Sequence, residues 1–191
     1  MEQDHTHKSR EENAIILDFL PNGYPFDNTP SHRKTAIAQA IGEEHFSLLE
    51  LVPKKDVVLK ANQKVYLGEG KRDEIHHING KIHLDRLTGT AKAELEFVIT
   101  ELVTKNEAKY VDFFNKSQPL STRMHTLELL PGLGKKHMWE VVEERRGEPF
   151  KSFDDIKTRI KLMPDPKKLI VKRIIMEITN HEEKHKIFVK E

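Results

Sequence analysis

The stretch Leu130-Pro131-Gly132-Leu133-Gly134-Lys135-Lys136 constrains this chain more than any other. A helix cannot run through Pro131, and Gly132 and Gly134 supply backbone angles that other residues resist. Before the turn, Met124, Leu127 and Leu130 fall on one helical face, with Ser121 placed to cap that helix. After it, Met138, Trp139, Val141 and Val142 offer packing residues for a second helix from about Lys135 to Arg146. The pattern predicts apolar helix, Pro-Gly-apolar-Gly turn, apolar helix.

Such a turn leaves several backbone N–H groups unpaired at the start of its second helix, a ready site for a phosphate oxygen. Leu133, between the glycines, anchors the loop in the core, while Lys135 and Lys136 put positive charge where the phosphate would sit. This kind of contact reads nucleic-acid backbone and not base sequence, so it gives positioning and salt-sensitive affinity. These residues resemble the helix-hairpin-helix motif of DNA- and RNA-handling proteins. The resemblance implies phosphate contacts at Gly132, Leu133, Gly134, Lys135 and Lys136. In that family hairpin carbonyls often hold a monovalent cation as well, and no cofactor is otherwise expected.

A degenerate second copy follows. Phe150-Lys-Ser-Phe-Asp-Asp-Ile-Lys-Thr-Arg-Ile160 has Ser152 and Asp155 at capping-box-like spacing, and Ile156 and Ile160 on one face. Met163-Pro164-Asp165-Pro166-Lys167-Lys168-Leu169 takes the hairpin position, with Asp165 and Pro166 suited to start a helix through Ile178. Both glycines are missing and an aspartate stands where an anion would approach, so this copy reads as a structural partner. Lys167, Lys168, Lys172 and Arg173 can still lend it charge.

The first half is punctuated differently. Runs at Ala14–Leu20, Ala36–Ile41, Phe46–Val52 and Val57–Leu67 are separated by clusters of turn residues, and Ile75–Ile78 leads through Asn79-Gly80 into Lys81–Leu84 as a hairpin. Short strands so spaced suggest a small curved sheet or barrel, for which a five-stranded barrel of the OB type fits the count. The period then changes. Thr90 can cap a helix through Ala91–Val103, and Glu107–Asn115 forms a second, whose Tyr110, Val111, Phe113 and Phe114 read as core at that spacing, ahead of a base-stacking platform.

Composition narrows the setting. With no cysteine in 191 residues there are no disulfides, thiolate metal sites or thiol nucleophiles. No apolar run approaches the ~20 residues that cross a bilayer, and the first ten residues lack the apolar core of a secretory signal. The expected location is cytoplasmic, where the sequon Asn115-Lys116-Ser117 is chance. Net charge is +1 overall, but residues 1–119 carry 16 Lys and Arg against 19 Asp and Glu (−3), and residues 120–191 carry 16 against 12 (+4). The positive charge collects in the hairpin half.

Other signals weigh less. His181-Glu182-Glu183-Lys184-His185 has the His-Glu-x-x-His spacing of zinc peptidases, yet sits in a run without apolar residues and is followed by no third ligand. His76, His77 and His83, near Asp73, Glu74 and Asp85, read as polar hairpin faces rather than a metal site, and no metal is expected. Gly68-Glu-Gly-Lys71 has the wrong spacing for a phosphate loop, and for Lys71 and Arg72 in this turn contact with RNA phosphates and an ordinary charged loop are equally good readings. No nucleophile elbow is present, and no catalytic residues are expected.

Three stretches together carry a wider resemblance: Ala40–Val52, Lys64–Ile75 and Leu127–Trp139. They are similar to archaeal proteins grouped as domain of unknown function 655 and described as putative RNA-binding proteins. The likeness runs from about residue 13 to 190. It implies an α+β chain: an OB-like β-domain at 13–86, a helical linker at 87–119 and an all-α helix-hairpin-helix domain at 120–180, between a flexible tail at 1–12 and a C-terminal segment at 181–191. It tilts the partner toward rRNA or another structured RNA, on or off the ribosome, with no membrane. The expected activity is non-enzymatic RNA binding in translation or ribosome biogenesis, with binding residues Gly132, Leu133, Gly134, Lys135, Lys136, Lys167 and Lys168. DNA binding in repair or recombination, or a protein–protein adaptor that uses the hairpin as a fold element, is the alternative.

Overall fold

The structure, a computed structural model, describes residues 10–190; most of the expected tail, residues 1–9, lies outside them. It is an α+β chain of two compact units, the first made of residues up to Val98 with Ile178–His181 and residues 186–190, the second of Ile99–Glu177 and Glu182–His185. The division falls inside a helix, so the expected linker is not a separate body.

The first unit is built on a curled antiparallel sheet of β1 (Asn13–Leu20), β2 (Ile37–Gly42), β3 (Leu48–Pro53), β4 (Lys64–Tyr66) and β5 (Ile75–Lys81), in the order β4-β1-β2-β3-β5. Alternation puts Ala14, Ile16, Ala38, Ala40, Leu49, Leu51, Val65 and Ile75 into one core with Leu59 and Leu67. β2 is buried along its whole length, and Gln39, fully enclosed, satisfies its amide on the Arg86 carbonyl (2.8 Å), the Tyr24 hydroxyl (3.0 Å) and the Thr88 N–H (2.8 Å).

Two expectations here are corrected. Asn79-Gly80 makes no hairpin, because β5 runs straight through it; the pairing skips Asn79, which turns its amide onto Glu50, and Gly80 stands opposite Glu50 in a bulge. Val57–Leu67 is a strand only at Lys64–Tyr66, because Asp56 (φ 63°) and Asn62 (φ 65°) take left-handed backbone that breaks the extended run. Nor is the end of the expected tail loose. Glu11 is buried, its carboxylate accepting the N–H groups of Glu44 (2.9 Å), His45 (3.0 Å) and Ser47 (3.1 Å). Gly42 permits this, since a β-carbon there would stand 1.9 Å from the Glu11 carboxyl carbon.

Helix α1 (Gly89–Lys105) starts one residue before the expected cap: Thr88 Oγ1, not Thr90, accepts the Ala91 N–H at 3.0 Å. Helix α2 (Glu107–Lys116) buries Tyr110, Val111 and Phe114 and leaves Phe113 half-buried, so Tyr110 and Phe114 are core. The second unit then holds a short hairpin of β6 (Pro119–Ser121) and β7 (Met124–His125), a single 3₁₀ turn (Thr126–Leu129), and helices α3 (Lys135–Gly147), α4 (Phe153–Arg159) and α5 (Pro166–Thr179).

This corrects the all-α expectation and the helix expected from Ser121 to Leu130. Ser121 caps a turn instead, accepting the Arg123 N–H at 3.2 Å, and Thr126 turns back onto the Gln118 carbonyl through both its N–H (3.2 Å) and its hydroxyl (2.5 Å). His125 caps what remains: its Nδ1 accepts the Leu127 N–H at 3.1 Å, while Glu128 accepts the His125 N–H at 2.8 Å.

Candidate nucleic-acid interface

The hairpin is closed from inside. Leu130 and Leu133 are buried, and the Leu133 N–H donates to the Leu130 carbonyl at 3.0 Å. Leu133 is therefore the anchor, its amide already engaged. Gly132 has φ +102°, a conformation side chains resist, and a β-carbon there would touch Leu169 Cδ2 at 3.5 Å. Gly134 differs. Its φ of −72° and ψ of 164° suit any residue, and a β-carbon would meet nothing within 4 Å.

Gly134 caps α3, its carbonyl accepting the Met138 N–H at 3.0 Å, so the amides of Lys135, Lys136 and His137 begin the helix without intrahelical acceptors. Both lysines are exposed, and Lys136 reaches Glu140 only loosely, at 3.9 Å. One turn along from Lys135, Trp139 is 58% exposed. The sequence suggests packing for it, and the structure leaves it at the surface. The signal was present: Met138, Val141 and Val142 form the buried stripe, and Trp139 lies off it.

The second hairpin repeats the turn with other chemistry. Ile160 and Met163 are buried like Leu130 and Leu133, and the Met163 N–H points back to the Ile160 carbonyl at 3.5 Å. Where Gly132 stands in the first, Leu162 takes φ 62° and is 93% exposed. The start of α5 is occupied by its own anion: Asp165 Oδ1 accepts the Lys168 N–H at 3.1 Å, and Lys157 sits 3.9 Å from the same carboxylate. Lys168 and Lys172 are exposed and Lys167 is half-buried beside this capped end.

Arg173 does not lend charge to the surface, as the sequence had suggested. It is buried, pairing with Glu177 (2.7 Å) and Glu183 (3.4 Å) and donating to the carbonyls of Leu129 (3.2 Å) and His185 (2.5 Å). Arg145 likewise closes the end of α2, on the carbonyls of Phe114 (2.8 Å) and Ser117 (2.8 Å). Arg159 closes the end of α3, on the carbonyls of Glu144 (2.7 Å) and Glu148 (2.9 Å), and lies over the Phe150 ring. Three arginines counted in the basic half are thus structural.

The histidine patterns separate. His76 and His77 contact each other, His83 packs edge-on against His181, and the segment from His181 to His185 is not helical, so its i and i+4 positions lose the shared face a zinc site would use. Among the described residues no three or more candidate ligands converge. Arg72 is held in its turn by the Gly68 carbonyl at 3.0 Å. Among the described residues no helix is long and apolar enough to cross a membrane.

Comparison with known proteins agrees with the resemblance carried by the hairpin and the strand segments. A family model described as protein of unknown function (DUF655) matches residues 10–190. The chain is 43% identical over 181 residues to the uncharacterized protein MJ0038 of Methanocaldococcus jannaschii, covering 94% of this chain and 80% of that one. It is similar to the crystal structure of Af1531 from Archaeoglobus fulgidus, of the same family, with a TM-score of 0.88 and 47% identity over 94% of this chain and all of the other. With the match spanning nearly every described residue, the chain belongs to the DUF655 family.

Proposed function

We propose that this is a non-enzymatic RNA-binding protein of translation or ribosome biogenesis, whose first hairpin holds a sugar-phosphate backbone. The observation that carries the reading is Gly134: neither its backbone angles nor its surroundings require glycine, yet it borders the free amide end of α3 between exposed Lys135 and Lys136 and exposed Trp139. A missing side chain there lets a phosphate oxygen reach the amides. Trp139 is a surface on which an adjacent base can stack.

In this reading the second unit is a helix-hairpin-helix domain with one working clamp, the second hairpin bracing it. The first unit is an OB-type barrel left open on one side. Support for that comes from the strand order, in which the fourth strand returns to pair with the first and the fifth with the third. Lys167 and Lys168 add field rather than contacts, given the Asp165 cap beside them.

The chain has one tryptophan, so Trp139 fluorescence reports binding directly. Titration with a structured RNA across a salt series is expected to give an affinity that falls steeply as salt rises. Lys135→Glu with Lys136→Glu is expected to weaken binding and flatten the log–log salt slope by roughly one to two. Competition by a matched DNA duplex tests the choice of nucleic acid, because only RNA offers the 2′-hydroxyl. Absence of binding at low salt, or an affinity indifferent to salt, overturns the proposal.

A further inference from the structure

The first unit contains a cavity of about 330 Å³ between β2, β3, β5 and the loop joining β1 to β2, lined among others by Tyr24, Arg33, Ile37, Glu50, Val52 and Asn79. At its wall the Glu50 side chain is 9% exposed. Burying a carboxylate is costly unless it is held, and this one is held on both oxygens. The Tyr24 hydroxyl donates to Oε2 at 2.6 Å, the Asn79 amide donates to Oε1, and the Arg86 guanidinium stands 3.9 Å from Oε2 and over the Tyr24 ring. Burial, then the Glu50 carboxylate, raises the Tyr24 phenol above its usual range, so it remains a donor.

A carboxylate has about four acceptor positions, and these hydrogen bonds use two. The remaining positions fix what can enter. In the lining Arg33 and Lys34 balance Asp27 and Glu50, and Arg86 beside Glu50 adds a further positive charge, so a neutral donor edge on an anionic ligand fits better than a cation. Among the RNA bases, only guanine presents two adjacent Watson–Crick donors, N1–H and the N2 amino group. Adenine turns its N1 acceptor toward a carboxylate, cytosine its N3, and uracil flanks one donor with two carbonyls. The volume lies at the low end for small-molecule sites, about right for one nucleotide. Ile37 and Val52 supply apolar contact for a base, exposed Arg33 a partner for its phosphate, and Phe26, 97% exposed in the same loop, a stacking surface outside.

We infer that this cavity receives one unstacked guanine nucleotide of a single-stranded RNA segment, its Watson–Crick edge read by Glu50. The inference rests on the RNA-binding reading and supplies the base preference that a backbone clamp lacks. The test uses the full chain and the RNA pentanucleotides UUGUU, UUAUU and UUIUU (inosine lacks the N2 amino group), followed by amide NMR shifts. The expected result is shifts at Gly23, Ile37, Val52 and Asn79, and about tenfold tighter binding of the guanine oligomer than of the adenine one, with inosine between. Glu50→Gln is expected to remove the preference. Because Glu50 is buried, Thr35→Trp at an exposed lining position serves as a second variant that fills the cavity and weakens the guanine oligomer selectively. Equal affinity for the three oligomers, or shifts confined to Gly134–Trp139, overturns the guanine site and leaves the hairpin clamp standing. Guanine preference that survives Lys135→Glu and Lys136→Glu, alongside unchanged binding of structured RNA, overturns the clamp instead.

Discussion

The two hairpin glycines make opposite predictions when each becomes alanine. Gly132 sits at φ +102°, where a β-carbon costs about 1–3 kcal/mol of backbone strain. The stiffer unfolded chain returns about 0.4–1 kcal/mol of that, and contact with Leu169 at 3.5 Å adds little. Gly132→Ala should therefore lower stability by about 1–2 kcal/mol. Gly134→Ala meets neither strain nor neighbours. Its unfolded-state gain is offset by a similar loss, because alanine is the poorer N-cap, so stability should move by less than about 0.5 kcal/mol. RNA binding should behave the other way. A methyl group in the open space at Gly134 crowds a phosphate oxygen approaching the α3 start, and the hydrogen bond to a charged oxygen lost there is worth about 1.5–3 kcal/mol, or roughly 10- to 100-fold in affinity. Urea denaturation followed at Trp139 reads the first quantity, and titration with structured RNA at fixed salt the second. Wild-type affinity in Gly134→Ala would refute the reasoning.

Two further predictions concern what holds the hairpin in place. Arg173→Met removes the cation facing fully buried Glu177 and the donor to the Leu129 carbonyl beside the hairpin, and should cost about 3–5 kcal/mol, much of it regained with Glu177→Leu; denaturant midpoints check both. Burial, then Arg145's charge, holds the His125 imidazole below its ordinary 6.5, against an opposing pull from Glu128. The unfolded chain thus binds the proton first: this contribution is whole above about pH 6.5 and is lost as pH falls through the folded value. Stability should decline on acidification from pH 7 to 5 through this group, and His125→Asn, which keeps an acceptor for the Leu127 N–H, should flatten that decline in urea midpoints taken across pH.

Local chemistry was legible in the sequence; its arbitration by tertiary contacts was not. Pro131-Gly132-Leu133-Gly134 announced its turn because proline and glycine act on backbone angles wherever they fall. The runs bounded by turn residues matched three of the five strands to within two residues. Asn79-Gly80 misled because the same pair serves a hairpin or a bulge, and only Glu50 on the neighbouring strand decides between them. Ser121 misled because its hydroxyl caps turns as readily as helices. Glu50, buried beside its cavity, could not be seen: in sequence it is one polar residue in an alternating strand, and what distinguishes it comes from Tyr24, Asn79 and Arg86, far along the chain. Charge counting overstated the basic face for the same reason, since Arg145, Arg159 and Arg173 are consumed by backbone carbonyls.

The two hairpins serve as a control on each other. Both close a four-residue turn over paired buried anchors, Leu130 with Leu133 and Ile160 with Met163. In the second turn Leu162 occupies the left-handed region without being glycine, so the turn itself does not demand one, although φ at Gly132 lies further from where a side chain is tolerated. The second helix start is capped by the carboxylate of Asp165, and the first by a glycine that offers no side-chain acceptor. A helix whose only need is stability gains roughly a few tenths of a kcal/mol from an aspartate cap in place of a glycine. Keeping Gly134 forgoes that gain and leaves the α3 amides open, with lysines and not a carboxylate beside them. The same fold element is thus sealed at one copy and open at the other, and it is at the open copy that the proposed function places the phosphate.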